Sequence, residues 1–293
     1  GRFHAVQDLS LSVPAGSVYG FLGPNGAGKT TSLRMILGML SPDSGELSVL
    51  GSPSAMSVRN RVGYLPEEKG LYRKMTATSV IAYFATLKGL SSARANQRAR
   101  ELLGRYGLGA FADKKVETLS KGMGQKVQVL ASIAHDPELV LFDEPFSGLD
   151  PVNQEVLEEI LIDLKARGCT ILFSTHVMSH AERLCDRLII LGGGRGLFEG
   201  TVSEARSLLP IRITLETADA SPTLEILPGV HSMEAQSSNL WRLELEPGAS
   251  ASAVLEACFE RSLRLRCFDV QDPDLHEVFV HLVGPSAREA ALR

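Results

Sequence analysis

Eight consecutive residues, Gly23-Pro24-Asn25-Gly26-Ala27-Gly28-Lys29-Thr30, hold the densest chemistry in this chain. Glycines let the backbone wind tightly enough to aim successive N–H groups at phosphate oxygens, and a lysine and a hydroxyl close the run. The run follows an apolar stretch, Val18 to Leu22, and precedes a helical pattern, Thr31 to Leu40, whose N-terminal dipole adds to its attraction for anions. A glycine-rich turn would match this pattern by chance at about one position in 30,000 at ordinary residue usage. The segment is therefore read as a nucleotide-phosphate site. Lys29 is expected to reach the β- and γ-phosphates, Thr31 to complete the contacts, and Thr30 to offer its hydroxyl to Mg²⁺, a hard cation that prefers oxygen ligands.

Three more motifs follow in order. Leu139-Val140-Leu141-Phe142 is an apolar strand that ends in Asp143 and Glu144, and in a parallel sheet such an end lies at the carboxyl edge where ligands bind. Asp143 is expected to hold Mg²⁺ through water and Glu144 to face the attacking water. Before that strand stands Leu119-Ser120-Lys121-Gly122-Met123-Gly124-Gln125-Lys126, and after it Ser147-Gly148-Leu149-Asp150. Beyond these three, Phe173-Ser174-Thr175-His176 closes the next apolar run.

These four ordered motifs resemble those of the ATP-binding cassette (ABC) ATPases, from residue 1 to about 205. The resemblance implies a P-loop NTPase of ABC type that binds ATP and Mg²⁺ and works as a head-to-tail pair, with a second copy of itself or a related cassette. The phosphate loop of one chain and the Ser120 segment of the other then sandwich each ATP. Lys121 and Met123 depart from the family's signature, but Ser120 and Gly122 are retained, so a hydroxyl and backbone donors at a helix start can still meet a phosphate. His176 matches the switch histidine that contacts the γ-phosphate, and the Asp150 loop is expected along the dimer interface. Glu67, after Tyr64-Leu65-Pro66, stands where the family carries a glutamine that senses Mg²⁺; a carboxylate there implies stronger metal binding and repulsion of phosphate until metal is present. The family's adenine-stacking aromatic is expected before Gly1, with Phe3 a weak substitute.

The resemblance also implies integral membrane permease subunits as partners and a place at the cytoplasmic face of the cell membrane. The variants at Glu67-Glu68 and Lys121-Met123, with the Asp272-Pro273-Asp274 tail, look most like the sodium- and drug-efflux branch. A soluble ABC ATPase serving a nucleic-acid or ribosomal process is the alternative. About 90 residues separate phosphate loop from signature, too few for a long coiled-coil arm.

The rest of the chain must position these groups. Its 293 residues, 44% hydrophobic and 22% charged, are those of a globular protein, and 30 basic against 34 acidic residues give no bulk drive toward nucleic acid or anionic lipid. No apolar run approaches the roughly 20 residues of a membrane span. Cys169, Cys185, Cys258 and Cys267 lack metal spacing and are expected as buried thiols; His176 and His180 could form a metal face with Cys185, but His176 has the better role above. Residues 1 to 22 read as strand material, 76 to 107 as helical with Val80, Ile81, Phe84 and Leu87 on one face, and 119 to 173 as alternating helix and strand. This predicts an α/β cassette over 1–205 with a helical subdomain at about 73–135. Residues 210–293 are expected to form a small C-terminal α+β domain, with strands near 211–216, 240–246 and 264–270 and helices carrying Val254, Leu255, Phe259 and Leu275, Val278, Phe279, Leu282.

Overall fold

The computed structural model describes residues 4–68, 70–218 and 227–291, with side-chain burial given to residue 284. Contacts divide it into two compact units, the first built on residues up to Thr201 and the second spanning Val202–Gly284.

The first unit is organised by a six-stranded sheet in the order β2-β3-β4-β1-β5-β6, with β1 Val18–Leu22, β2 Val62–Leu65, β3 Leu139–Asp143, β4 Thr170–Thr175, β5 Arg187–Gly192 and β6 Arg195–Gly200. All neighbours pair parallel except β5 and β6. Alternate residues serve two separate cores. Val140, Phe142, Ile171 and Phe173 enter the core shared with the helices α2 Ala77–Leu87, α3 Ser92–Arg105, α4 Lys121–Ile133 and α5 Pro151–Ala166. Leu139, Leu141, Leu172, Tyr19 and Phe21 enter the other, with Leu33 of α1 Lys29–Ile36 and Val58. Both faces are covered, which is why these strands read as unbroken apolar runs. The parallel order places the ends of β1, β3 and β4 side by side, with Asp143 opposite Ser174 and Leu22 opposite Thr175.

Several expectations need correction. Residues 4–17 form no strand; Leu9, Leu11 and Val13 still turn inward against the second core, so the alternation is real but no ladder forms over them. Leu87 is 59% exposed, because α2 ends at that residue and Gly89 turns the chain away. The antiparallel pair β5–β6 went unpredicted.

The last helix of the cassette before β5 is α6 Met178–Leu184. In the second unit, α7 Val202–Arg206 precedes a four-stranded antiparallel sheet of β7 Arg212–Thr217, β8 Val230–Ala235, β9 Leu240–Leu245 and β10 Leu265–Gln271, ordered β10-β7-β9-β8. Ile213, Leu215, Leu243 and Leu245 share a core with Val254, Ala257 and Cys258 of α8 Ala251–Glu260. Phe259 is 65% exposed, since the buried face of α8 runs through positions 254, 257 and 258 rather than 259. The last helix, α9 Leu275–Ala291, buries Leu275 and Val278 and is broken at Gly284. Cys169 and Cys258 are buried, Cys185 partly so, but Cys267 is exposed, contrary to expectation; the edge strand β10 leaves it uncovered. Trp241 is a half-buried strand residue packed against the core. No helix among the described residues is long and apolar enough to cross a membrane.

Candidate functional site

The turn from β1 to α1 builds the floor of the site. Gly26 and Gly28 adopt φ of 80° and 97°, and a Cβ on Gly28 would lie 2.6 Å from the Ala5 carbonyl oxygen, so only glycine fits there. Gly28 is also the N-cap of α1 and no side chain caps the helix, so its first-turn N–H groups are left for an external acceptor. A cavity of about 530 Å³ opens over this turn, lined by Pro24 to Thr31 together with Glu67, Glu144 and His176, and by Ala5 and Ser147. Five sequence segments named above thus converge on one space. Gly23 sits just behind it, and its carbonyl accepts a 2.7 Å hydrogen bond from the Lys29 ammonium. Phe3 lies outside the described residues.

At the rear stand the two acids, Glu144 on the cavity wall and Asp143 buried behind it, outside the lining. Asp143 is 1% exposed; its Oδ1 accepts hydrogen bonds from Ser174 Oγ at 2.6 Å and Thr30 Oγ1 at 3.1 Å, while Oδ2 has no partner. A buried carboxylate oxygen left open beside a threonine hydroxyl is a donor set that suits a hard divalent cation. Glu144 follows at φ 48°, a left-handed conformation that costs a non-glycine residue about 1 kcal/mol or more. Its N–H donates to Ser174 Oγ at 2.9 Å, and its carbonyl accepts from Ser147 N at 3.1 Å, which holds the turn. Glu144 Oε2 lies 3.0 Å from His176 Nδ1, and Oε1 lies 3.4 Å from Lys29 Nζ. The latter is an ion contact without a directed hydrogen bond. The kinked backbone thereby presents the carboxylate to the cavity between an imidazole and an ammonium.

Ser174 went unnoticed in the sequence, yet its hydroxyl fixes both acids at once, donating to one and accepting from the other. The available signal was a small polar residue at the end of an apolar strand that neighbours β3. Ala5 was also missed, and Ser147 entered only as the first residue of the Ser147-Gly148-Leu149-Asp150 motif.

Ser120, Gly122 and Asp150 are not among the residues lining this cavity. They meet elsewhere, at the starts of α4 and α5. Ser120 Oγ caps α4 by accepting from Met123 N at 3.3 Å. Asp150 caps α5, accepting from Asn153 N at 2.9 Å and Asn153 Nδ2 at 2.6 Å, and these bonds hold its carboxyl below the usual range. Gly122 abuts the same asparagine: a Cβ there would lie 2.4 Å from Asn153 Nδ2. The Lys121 ammonium reaches over Gly148.

His180 does not join His176 in a metal face. Its ring stacks on Phe146 at 4.0 Å, and burial lowers its pKa. Cys185 packs against Gly20 of β1.

A family model described as "ABC transporter" matches residues 6–147, and one described as "ATP-binding protein DrrA1-3-like, C-terminal domain" matches 200–283. The chain is 40% identical over 285 residues to the uncharacterized ABC transporter ATP-binding protein YhaQ of Bacillus subtilis, spanning 97% of this chain and 95% of that protein. It is 34% identical to the daunorubicin/doxorubicin resistance ATP-binding protein DrrA of Streptomyces peucetius, over 97% of this chain and 89% of that one. Among solved structures, a dimeric post-hydrolysis form of the ATP-binding cassette MJ0796, bound to ADP and Pi, superposes with a TM-score of 0.63 at 25% identity, covering 68% of this chain and 91% of that one.

Proposed function

Because this chain belongs to the ABC transporter ATP-binding proteins and is an ATPase of that family, we propose that Glu144, oriented by His176, is the general base of its ATP hydrolysis. The observation that supports this most directly is the convergence of the uncapped α1 start, Lys29, Glu144 and His176 on one cavity.

The phosphates of ATP would lie along the N–H groups of residues 26–31, which cost no reorganisation because the glycine turn already faces them. Lys29 would turn from the Gly23 and Pro24 carbonyls, at 2.7 and 3.3 Å, to the phosphates. Glu144 would then take a proton from water, with His176 fixing which carboxylate oxygen does so. Against the single ammonium of Lys29 stand Asp143, Glu144 and Glu67, so a polyphosphate needs added positive charge to enter. Mg²⁺ held by Thr30, Asp143 and Glu67 would supply that charge and spread it over the phosphate oxygens. Thr30 and the open Asp143 Oδ2 fit such an ion.

Ser120 and Asp150 would act on the nucleotide of a second cassette, since neither lines the cavity of its own chain, although Ser147 of the Asp150 loop does. The further partners would be integral membrane permease subunits that hold the chain at the cytoplasmic face of the membrane. Export is the direction this reading favours, supported by the 34% identity to a drug-resistance protein over nearly the whole chain. The cargo would be chosen by the membrane subunits. Purification of the tagged chain from its native membranes tests this: an integral membrane protein should copurify, and addition of the complex to vesicles should couple ATP hydrolysis to solute movement. Recovery of the chain alone from gently solubilised membranes would count against it.

A further inference from the structure

Helix α4 buries two glutamines among apolar neighbours. Gln125 and Gln128 are 4% and 7% exposed, beside the equally buried Val127, Val129, Leu130 and Ile133. A buried primary amide is costly unless its polar atoms find partners. The two differ in how they are served. Gln125 Nε2 lies 3.5 Å from the Pro145 carbonyl oxygen, beyond the ordinary range, and its Oε1 has no partner. Gln128 Nε2 donates to the Glu68 carbonyl at 3.1 Å.

That second bond falls on a turn with little else to hold it. Among the described residues it is the one hydrogen bond made by residues 67 and 68. Glu68 is exposed, so water could serve its carbonyl and the amide is not needed to satisfy the backbone. What the bond supplies is position. Glu67 immediately precedes Glu68 and lines the nucleotide cavity, whereas Gln128 does not. The anchor itself is closely seated: a Cβ on Gly63 of β2 would lie 2.4 Å from the Ser132 carbonyl oxygen of α4, and Gln128 stands about one turn before Ser132. Strand, helix and amide thus form a closed frame around the turn that carries Glu67.

We propose, on the reading of Glu67 as an Mg²⁺ ligand that opposes bare phosphate, that Gln128 is a positioning residue for it: by holding the Glu68 carbonyl from α4, Gln128 sets how far the Glu67 carboxylate reaches into the cavity. A carboxylate on an unheld turn swings into solvent, where its charge is screened. Held at the cavity wall, it keeps both its repulsion for a polyphosphate without metal and its grip on the metal. Gln128 does not meet the nucleotide; its effect passes through one carbonyl.

Affinity of the full chain for a nonhydrolysable ATP analogue would be measured across a Mg²⁺ titration in the parent, Gln128→Met, Glu67→Gln and the double variant. Gln128→Met keeps the length of the side chain and loses the donor. When Mg²⁺ is scarce it should bind the analogue about 3- to 10-fold more tightly than the parent, the worth of one hydrogen bond, and in the double variant it should add nothing to Glu67→Gln. Gln128→Asn, whose amide stops one methylene short, should act as Gln128→Met does, and it carries the test if circular dichroism shows the methionine variant unfolded. Val129→Ala, a truncation in the core of the same helix, should keep the parent's Mg²⁺ dependence, which separates positioning from lost stability. In nucleotide-free protein, cleavage after Glu67 and Glu68 by a glutamate-specific protease should quicken in Gln128→Met and not in Val129→Ala. A parental Mg²⁺ dependence in Gln128→Met while Glu67→Gln departs from it would overturn the positioning role alone, as would additive effects in the double variant or an unchanged cleavage rate. If Glu67→Gln itself matches the parent, the reading of Glu67 falls and the positioning role falls with it.

Discussion

Two helix starts in the first unit look alike in sequence and differ in surroundings. Both α1 and α4 open after an extended segment, with small residues and a hydroxyl at the turn. At α1 the cap is a glycine that offers no side chain, and the cavity over it holds an ammonium, carboxylates and an imidazole. At α4 the cap is Ser120, already engaged with Met123 N, and its neighbours Gly122 and Asn153 are packed on each other with no share in the cavity. The same backbone dipole is thus furnished in one place with an ammonium, carboxylates and an imidazole and in the other with donors alone. On the proposed function, the first half binds and reacts, and the second completes the site of a partner cassette.

The sharpest way to break this contrast is to remove the base from the reactive half. Glu144→Gln keeps the shape but cannot take a proton, so steady-state hydrolysis should fall by about 10²- to 10⁴-fold while ATP binding survives. Unchanged turnover would remove Glu144 from the chemistry and leave the first half no more catalytic than the second.

Next in size is a lesion in the donor half. Ser120→Arg should stop hydrolysis in a homodimer without weakening ATP affinity of the monomer, and should cost about 1 kcal/mol of stability through the lost cap. Mixed with Lys29→Ala chains it should regain activity, because a heterodimer holds one composite site with both defects and one with neither. If heterodimers form and no activity returns, the donor half does not act across an interface.

A smaller effect is expected where the cavity admits charge. A carboxylate about 4 Å from a phosphate at an effective dielectric near 20 opposes it by about 4 kcal/mol before screening, and Glu67 is exposed, so the real figure is lower. Glu67→Gln should bind ATP more tightly when Mg²⁺ is scarce and similarly when it is abundant. A Mg²⁺ titration that gives superimposable affinities for the two proteins would dismiss Glu67 as a participant.

The smallest change concerns packing in the donor half. A methyl at Gly122 must displace Asn153 Nδ2, which donates to Asp150 at 2.6 Å. Gly122→Ala should therefore lose about 1 kcal/mol in chemical denaturation, the worth of one hydrogen bond, slow hydrolysis a few-fold and leave ATP affinity intact. A loss of ATP affinity would mean that the two halves are not separate after all.

The reactive half was largely legible in the sequence because its chemistry is local. Lys29, Thr30, Asp143 and Glu144 sit at fixed offsets from apolar runs that can only be strands, so the sheet delivers them to one edge. Ser174 was not legible, since its importance comes from lying beside Asp143 in register, a relation between strands 31 residues apart. For the same reason the inward turns of Leu9, Leu11 and Val13 were visible but the missing ladder was not: side-chain periodicity reports which face is buried, whereas pairing depends on a neighbour. In the second unit the strands announced themselves by alternation, yet β8, with Ser232, Glu234 and Ala235, lies at an edge and carries too little apolar contrast to show.

The contact of Lys29 with Glu144 sets the electrical cost of admitting a nucleotide. The ammonium can serve the carboxylate or an incoming phosphate, but it cannot fully neutralise both. On the proposed function, substrate entry is a counter-ion exchange: as the phosphate takes the cation, Glu144 is left without its ionic partner. The same ion contact would thus keep the proposed base occupied until a nucleotide claims the ammonium.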